Sequence, residues 1–325
     1  MFDKLRGGFL DFVRFVVLGA GCPSAQRAIL LVCTAATWAC SCSRQPGPER
    51  VEDSLTSGRI TVVCAPEAKP LIERERAAFE ALYPQSEIQV REGSSREAIR
   101  ALFGAECDLA VILRELEPEE RGAAVRGRLE LEGYRFARDA LVVVVHPGNR
   151  VENLALEQVR GVYRGEFRRW SELGGTDQRI VPVIQKPELD IMGFFLQQVM
   201  NGQPITAQAV YEPSDSAMAE YVSNHPDAIG FVTLGWAERG VKAVRLAALT
   251  GLPYRKPDLE TVYRGDFPLS RYYNFYVRPA GSPLAHGFIT FVTSRDGQAI
   301  VREQGLVPTA VPVRFVRRSP MQSSH

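Results

Sequence analysis

Histidine is scarce in this chain. There are four, His146, His225, His286 and the terminal His325, scattered and without Cys or carboxylate partners at metal-ligand spacing, so no metal site is expected. Cysteine is nearly as sparse. Of six, Cys22, Cys33, Cys40 and Cys42 precede Arg44, and only Cys64 and Cys107 fall in the body of the chain. That is too few for a disulfide scaffold. The strand assignments below set Cys64 and Cys107 at opposite edges of a sheet, too far apart to bridge, so both are expected as buried small hydrophobes. No apolar run reaches the ~18 residues of a membrane-spanning helix. An excess of one charge is also lacking: 39 Lys+Arg stand against 38 Asp+Glu, which excludes a strongly basic nucleic-acid binder. Gly-x-Ser-x-Gly and a phosphate loop ending in Lys-Ser/Thr are both missing. No enzyme and no cofactor are expected.

What is present is a chain of 325 residues, 45% hydrophobic and 24% charged, enough for about two α/β domains. Residues 1–42 read as an N-terminal extension carrying an export signal. Arg27 precedes a short apolar stretch, and the small residues around Trp38 lead to Cys40. Cys40 is the expected lipid-attachment site, with Cys42 as a rival. The run Val16 to Gly21 before Cys22-Pro23-Ser24 imitates a dinucleotide fingerprint, but no acidic residue follows until Glu49, so that reading fails. Residues 43–58 read as a polar tether.

Periodicity then gives alternating strands and helices. Arg59–Ala65 is a strand, Glu67–Leu82 a helix ended by Pro84, and Glu87–Arg91 a strand. Ser94-Ser-Arg-Glu97 is a capping box opening a helix through Phe103, and Asp108–Leu113 a third strand. Strand, helix, strand, helix, strand calls for a parallel sheet with right-handed crossovers. Asp139–Val145 is an apolar strand buried on both faces. Leu156–Tyr163 is a helix, and Trp170–Gly175 turns the chain. Ile180–Ile184 is a strand, Phe194–Met200 and Ala217–Ser223 are helices, and Ala228–Val232 is a strand. Tyr272–Val277 is a strand, Leu284–Thr293 and Gly297–Gln304 are helices, and 316–325 a frayed tail. The basic cluster Arg160, Arg164, Arg168 and Arg169 around Tyr163 and Trp170 reads as a solvated helix face over a packed Trp.

Taken in order, several stretches resemble the phosphate-type solute-binding proteins of ABC importers, the clamshell periplasmic-binding-protein fold of the second type. They are Ile60–Pro84, Gly93-Ser-Ser-Arg-Glu-Ala-Ile-Arg-Ala-Leu102, Cys107-Asp-Leu-Ala-Val-Ile-Leu-Arg-Glu-Leu116 and Arg138-Asp-Ala-Leu-Val-Val-Val-Val-His-Pro147. Asn153 to Gly165 leading into Trp170-Ser-Glu-Leu-Gly-Gly175, then Ala228-Ile-Gly-Phe-Val232 and Gly297 to Pro308, complete the set. The resemblance implies an α/β fold of two interleaved lobes, each a mainly parallel sheet flanked by helices. Lobe 1 would be 59–138 plus 272–315 and lobe 2 would be 139–271. It also implies a cleft in which helix N-termini hold a small oxyanion without bulk positive charge, and closure recognised by permease subunits. The protein is then an envelope monomer, bound to the membrane through its lipid only.

The resemblance assigns ligand roles to Ala65 and Glu67 of the first loop, to Ser94 and Ser95, and to Arg114, whose guanidinium would clamp an oxyanion. It adds Asp139, which would accept a hydrogen bond from a protonated phosphate, and Asp190 of a later loop. Two of these loops depart from the family. Where it has Gly-Ser-Thr-Thr this chain has Cys64-Ala65-Pro66-Glu67, and where it has Gly-Ser-Gly-Thr this chain has Glu188-Leu189-Asp190-Ile191. A carboxylate ~4 Å from the anion at an effective dielectric of about 20 costs ~4 kcal/mol. The alternative is therefore a clamshell that has lost its ligand and acts as a sensor or envelope interaction module.

Overall fold

The structure, a computed structural model, describes residues 53–317, with side chains to residue 309. Cys22, Cys33, Cys40 and Cys42, the export signal and residues 318–325 lie outside the described residues.

The first strand, β1 (Gly58–Cys64), pairs in parallel with β2 (Ser86–Glu92) on one side and β3 (Leu109–Ile112) on the other. Between them run α1 (Lys69–Leu82), entered through a 3-10 turn at Pro66–Ala68, and α2 (Ser95–Phe103). Pro84 stops α1, because a residue preceding proline is pushed out of the helical region. The capping box is complete: the Ser94 amide donates to Glu97 Oε2 at 2.8 Å and the Glu97 amide to Ser94 Oγ at 3.3 Å.

After α3 (Pro118–Arg126) comes β4 (Leu131–Val145), fifteen residues long. Its first part pairs antiparallel with β11 (Ser270–Val277), which lies beside β3. Its second part, Leu141–Val145, pairs antiparallel with β8 (Ala228–Thr233). One strand thus belongs to both halves of the molecule. The second half continues from β8 to β6 (Val181–Gln185) and β7 (Val210–Glu212), all parallel, giving the order β2-β1-β3-β11-β4-β8-β6-β7. Helices α4 (Leu156–Tyr163), α5 (Asp190–Gln198) and α6 (Asp215–Asn224) belong to this half. So does a small sheet of β5 (Asn153–Ala155) and β10 (Arg245–Ala247), while β9 (Lys242–Ala243) adds to β4. After α7 (Leu259–Arg264) and β11 the chain returns through α8 (Pro283–Val292) and α9 (Arg295–Glu303). It finishes on β12 (Val307–Arg317), antiparallel to β4. The first and last segments therefore share one sheet.

Alternation on β1 sorts its side chains between the two faces of that sheet. Val62 and Cys64 join Phe79, Phe136, Phe275 and Phe288, whereas Val63 joins Ile99, Leu102, Cys107 and Ala110. Phe136 stacks on Phe275 with centroids 4.0 Å apart. In the other half a separate core forms around Leu141–Val145, Tyr163, Trp170, Phe195 and Phe231. Each such large side chain, fully buried, contributes roughly 1.5–3 kcal/mol.

Several expectations change. Cys64 and Cys107 are free and buried, but they are not at opposite edges, since β1 and β3 are neighbours. Cys64 ends β1 opposite Val111, while Cys107 sits before the other end of β3 and in the core of the other face. The strand expected over Asp139–Val145 begins eight residues earlier, at Leu131, because β11 and β12 flank that stretch and pair its polar backbone. Val316 and Arg317, placed by the sequence in a frayed tail, pair with Glu132 and Leu131. The end of the tether is packed: a Cβ on Gly287 of α8 would lie 1.7 Å from the Leu55 carbonyl oxygen.

Candidate functional site

The two halves face each other where β4 and β11 pass between them, and one buried cation marks the place. Arg271, 3% exposed at the start of β11, donates from Nε and Nη2 to Asp139 Oδ2 at 3.2 and 3.1 Å. Asp139, fully buried on β4, also accepts the Leu234 amide at 3.1 Å through Oδ1. Its carboxylate is saturated by the protein. It is not an open acceptor for a guest, as the resemblance had it. Arg271 keeps Nη1 buried without a hydrogen-bond partner, and the Phe194 ring of α5 lies 6.0 Å from its guanidinium carbon.

Sequence reasoning missed Arg271 because it began the strand at Tyr272, two residues after its start at Ser270. The available signal was a charged residue and Asn274 set in an otherwise aromatic and apolar strand. Asn274, 1% exposed, donates from Nδ2 to the Arg114 carbonyl at 2.9 Å and leaves Oδ1 unpartnered.

Around this cation stand the two carboxylates that the altered loops introduce. Glu67, in the 3-10 turn after β1, accepts the amide of Ile191 through Oε1 at 3.0 Å. Ile191 is the second residue of α5, so a side chain from the opposite half caps this helix, and its own N-cap residue, Leu189, offers no side-chain bond. Glu67 Oε2 is buried without a partner. Burial pushes the Glu67 carboxyl up from its ordinary range, against the pull of Arg271 and with a further upward push from Asp190. Asp190, first residue of α5, accepts the hydroxyl of Ser95, first residue of α2. Two polar links therefore join the halves across the cleft.

The remaining expected ligands are occupied locally. Ala65 is buried and donates its amide to Val111 O at 3.1 Å. Ser94 is an N-cap whose oxygen meets Glu97. Arg114 does clamp a carboxylate in two-pronged fashion, but the partner is Glu120, at 2.7 and 2.8 Å, with Glu117 at 3.6 Å. The chain thus brings Glu67, Ser95, Asp139 and Asp190 to one place around Arg271. Ala65 and Ser94 serve backbone and cap, and Arg114 is taken up by α3.

Beside this cluster lies a cavity of about 410 Å³. Its wall includes Arg114 and Leu116 from one half, Phe194 and Gln197 from the other, and Arg271 and Asn274 from β11. Elsewhere, Gln185 at the end of β6 donates to Asp215 at 2.6 Å, and Asp215 accepts the Thr233 amide at 3.0 Å. That network ties β6, α6 and β8 together. Among the described residues no group of three or more His, Cys, Asp and Glu is placed to hold a metal ion. None of their helices is long and apolar enough to cross a membrane.

Known proteins match this architecture. A phosphate-binding protein PstS of Pseudomonas aeruginosa is 25% identical over 321 residues, covering 92% of this chain and 94% of its own length. A phosphate-binding protein PstS of Bacillus subtilis is 23% identical over 260 residues, covering 79% and 82%. A crystal structure of an ABC-type phosphate transport receptor from Vibrio cholerae superposes with a TM-score of 0.68 at 23% identity, over 77% of this chain and all of that one. The family model of the PBP superfamily domain matches residues 51–296. With most of its length inside that match, and with two half-sheets joined through the shared strand β4 beside a buried arginine, the chain belongs to the PBP superfamily.

Proposed function

We propose that this protein is an extracytoplasmic solute-binding protein. It captures phosphate or a related small oxyanion between its two halves and delivers it to the permease subunits of an ABC importer. It works as a binder rather than an enzyme, as a monomer held at the envelope through lipid on Cys40. The observation that carries this reading is the Arg271 guanidinium. It is desolvated at the seam, held by two bonds to one oxygen of Asp139, and left with one buried N–H group without a partner, in a residue that lines the cavity. A pre-oriented, water-excluded guanidinium is a strong oxyanion donor. The relatives' names support the ligand class.

The capture geometry differs from a pair of open helix mouths. Glu67 already sits on the α5 mouth and Asp190 on Ser95 of α2. The anion either displaces these side chains or lodges beside Arg271. The same two contacts favour a second reading, a clamshell held shut by its own carboxylates and acting as an envelope sensor. Calorimetry of the purified protein with phosphate, sulfate and molybdate separates the two. Micromolar binding of any of them, about −8 kcal/mol, agrees with capture, and silence across all three agrees with the sensor.

A further inference from the structure

Between β10 and the end of α7 the chain exposes apolar side chains where loops ordinarily carry polar ones. Among the described residues nine large apolar side chains are exposed, and five of them fall within residues 249–263: Leu249, Leu252, Tyr254, Leu259 and Tyr263. Such a concentration marks an interaction surface rather than scattered exposure. The loop that carries the first three is nonetheless firmly built. Two backbone bonds between Leu246 and Arg255, at 3.0 and 2.8 Å, close its base. At its tip the Leu252 amide donates to the Leu249 carbonyl at 3.1 Å, across Gly251, whose φ of +88° suits such a turn. The Thr250 amide donates to Glu157 Oε1 of α4 at 3.0 Å. The turn thus presents Leu249 and Leu252 at 58% and 47% exposure, with Tyr254 just behind.

The charge here has one sign. From Arg239 to Pro257 there are five Lys and Arg and no Asp or Glu. Arg255 and Lys256 follow the tip directly, are exposed, and make no ion pair among the described residues. Carboxylates from neighbouring elements are already committed. Glu157 holds the Thr250 amide, Asp258 caps α7 through the Thr261 amide at 2.9 Å, and Glu260 pairs with Arg264 at 2.6 Å. Leucines at a tight tip, a tyrosine behind them and free cations at the rim suit a bilayer interface. Apolar side chains enter the acyl boundary, Tyr sits at headgroup level, and Lys and Arg meet anionic headgroups. A protein partner fits less well, because a standard interface takes about 800 Å² from each side and this tip offers two leucines and a tyrosine.

We propose that the loop Leu249–Lys256 docks the protein on an anionic bilayer surface. Leu249 and Leu252 enter the interface, and Arg255 and Lys256 lie on lipid phosphates. This goes beyond the solute-binding reading and rests only on its envelope placement.

Hydrogen exchange on the purified full chain, with protein-free vesicles, tests it. Vesicles of equimolar phosphatidylglycerol and phosphatidylcholine should slow exchange of the amides of residues 249–256 at least five-fold, and pure phosphatidylcholine less than two-fold. Leu249→Ser with Leu252→Ser, or Arg255→Gln with Lys256→Gln, should remove the slowing, while phosphate affinity measured by calorimetry changes less than two-fold. No slowing on the anionic vesicles, or equal slowing on both kinds, overturns the proposal and leaves solute capture standing. Slowing by native envelope membranes but not by protein-free vesicles identifies a protein partner and overturns it as well.

Discussion

Glu67 caps a helix that begins more than a hundred residues further along the chain: its Oε1 accepts the Ile191 amide at 3.0 Å. The N-terminus of α5 is where the dipole and the unpaired amides would otherwise draw an anion. A side chain from the opposite half therefore occupies that helix mouth. Removing it should have two opposite effects. Glu67→Ala is expected to lower stability by about 1 kcal/mol, the cost of a lost cap, and to raise phosphate affinity at least ten-fold by freeing the helix mouth of a competing carboxylate. Denaturant melts and calorimetry on one preparation read both. A variant that loses stability without gaining affinity shows that the α5 mouth is not part of the binding site.

The Asp139–Arg271 pair predicts a different response. Both groups are almost fully excluded from water, and breaking a buried pair by removing one charge costs roughly 3–5 kcal/mol. Asp139→Asn should lower the unfolding free energy, read from urea denaturation, by an amount in that range. It should also release Arg271 from its two-bond anchor and weaken anion binding. A loss below 1 kcal/mol contradicts the geometry.

Glu75 offers a pH test independent of the ligand. It is fully buried on α1, both carboxylate oxygens lack partners, and desolvation raises its pKa to about 9, opposed weakly by Arg74. Its folded pKa lies above the unfolded value of about 4.5, so the folded state binds the proton more tightly. The contribution to stability is complete below pH 4.5 and is lost progressively as pH rises towards 9, at about 1.4 kcal/mol per unit. At pH 7 this amounts to about 3 kcal/mol. Glu75→Gln carries no such penalty and should be more stable than the parent at pH 7, with the gap closing near pH 4. Chemical denaturation across that range checks the sign and the window.

Gly287 tests whether the segment before β1 is structurally bound. Because a Cβ there meets the Leu55 carbonyl, Gly287→Ala should displace Leu55 from α8 and cost about 1–3 kcal/mol, as overpacking does. Faster proteolysis near Leu55 should accompany the loss.

These sites were unequally legible in the amino-acid sequence. Elements governed by local patterning were clear: the Ser94–Glu97 capping box, the apolar run Leu141–Val145, the helix over Leu156–Tyr163, and the turn over Trp170–Gly175. The resemblance named Glu67, Ser95, Asp139 and Asp190 as ligands of an anion, and in the structure they bond to the protein itself: Asp139 to Arg271, Glu67 to the Ile191 amide and Asp190 to Ser95. What failed was whatever a distant segment decides. Helix α5 starts at Asp190, four residues before the expected Phe194, because Glu67 supplies the cap that Leu189 lacks. The stretch 131–138, with Gly133 and several charges, is a strand only because β11 and β12 lie beside it. Arg114 was read as a clamp for a free anion, yet Glu120 of the unrecognised helix α3 takes it. Arg271 has no local signal beyond its setting. Its importance comes from Asp139, far away in sequence and 3.1 Å away in space.

A crystal of this protein grown with phosphate and refined to high resolution is the most direct test of capture at the seam. Tetrahedral density is expected within hydrogen-bond distance of Arg271 Nη1, between the two halves. An empty seam at saturating phosphate, with Glu67 still bonded to the Ile191 amide and Asp190 to Ser95, contradicts it.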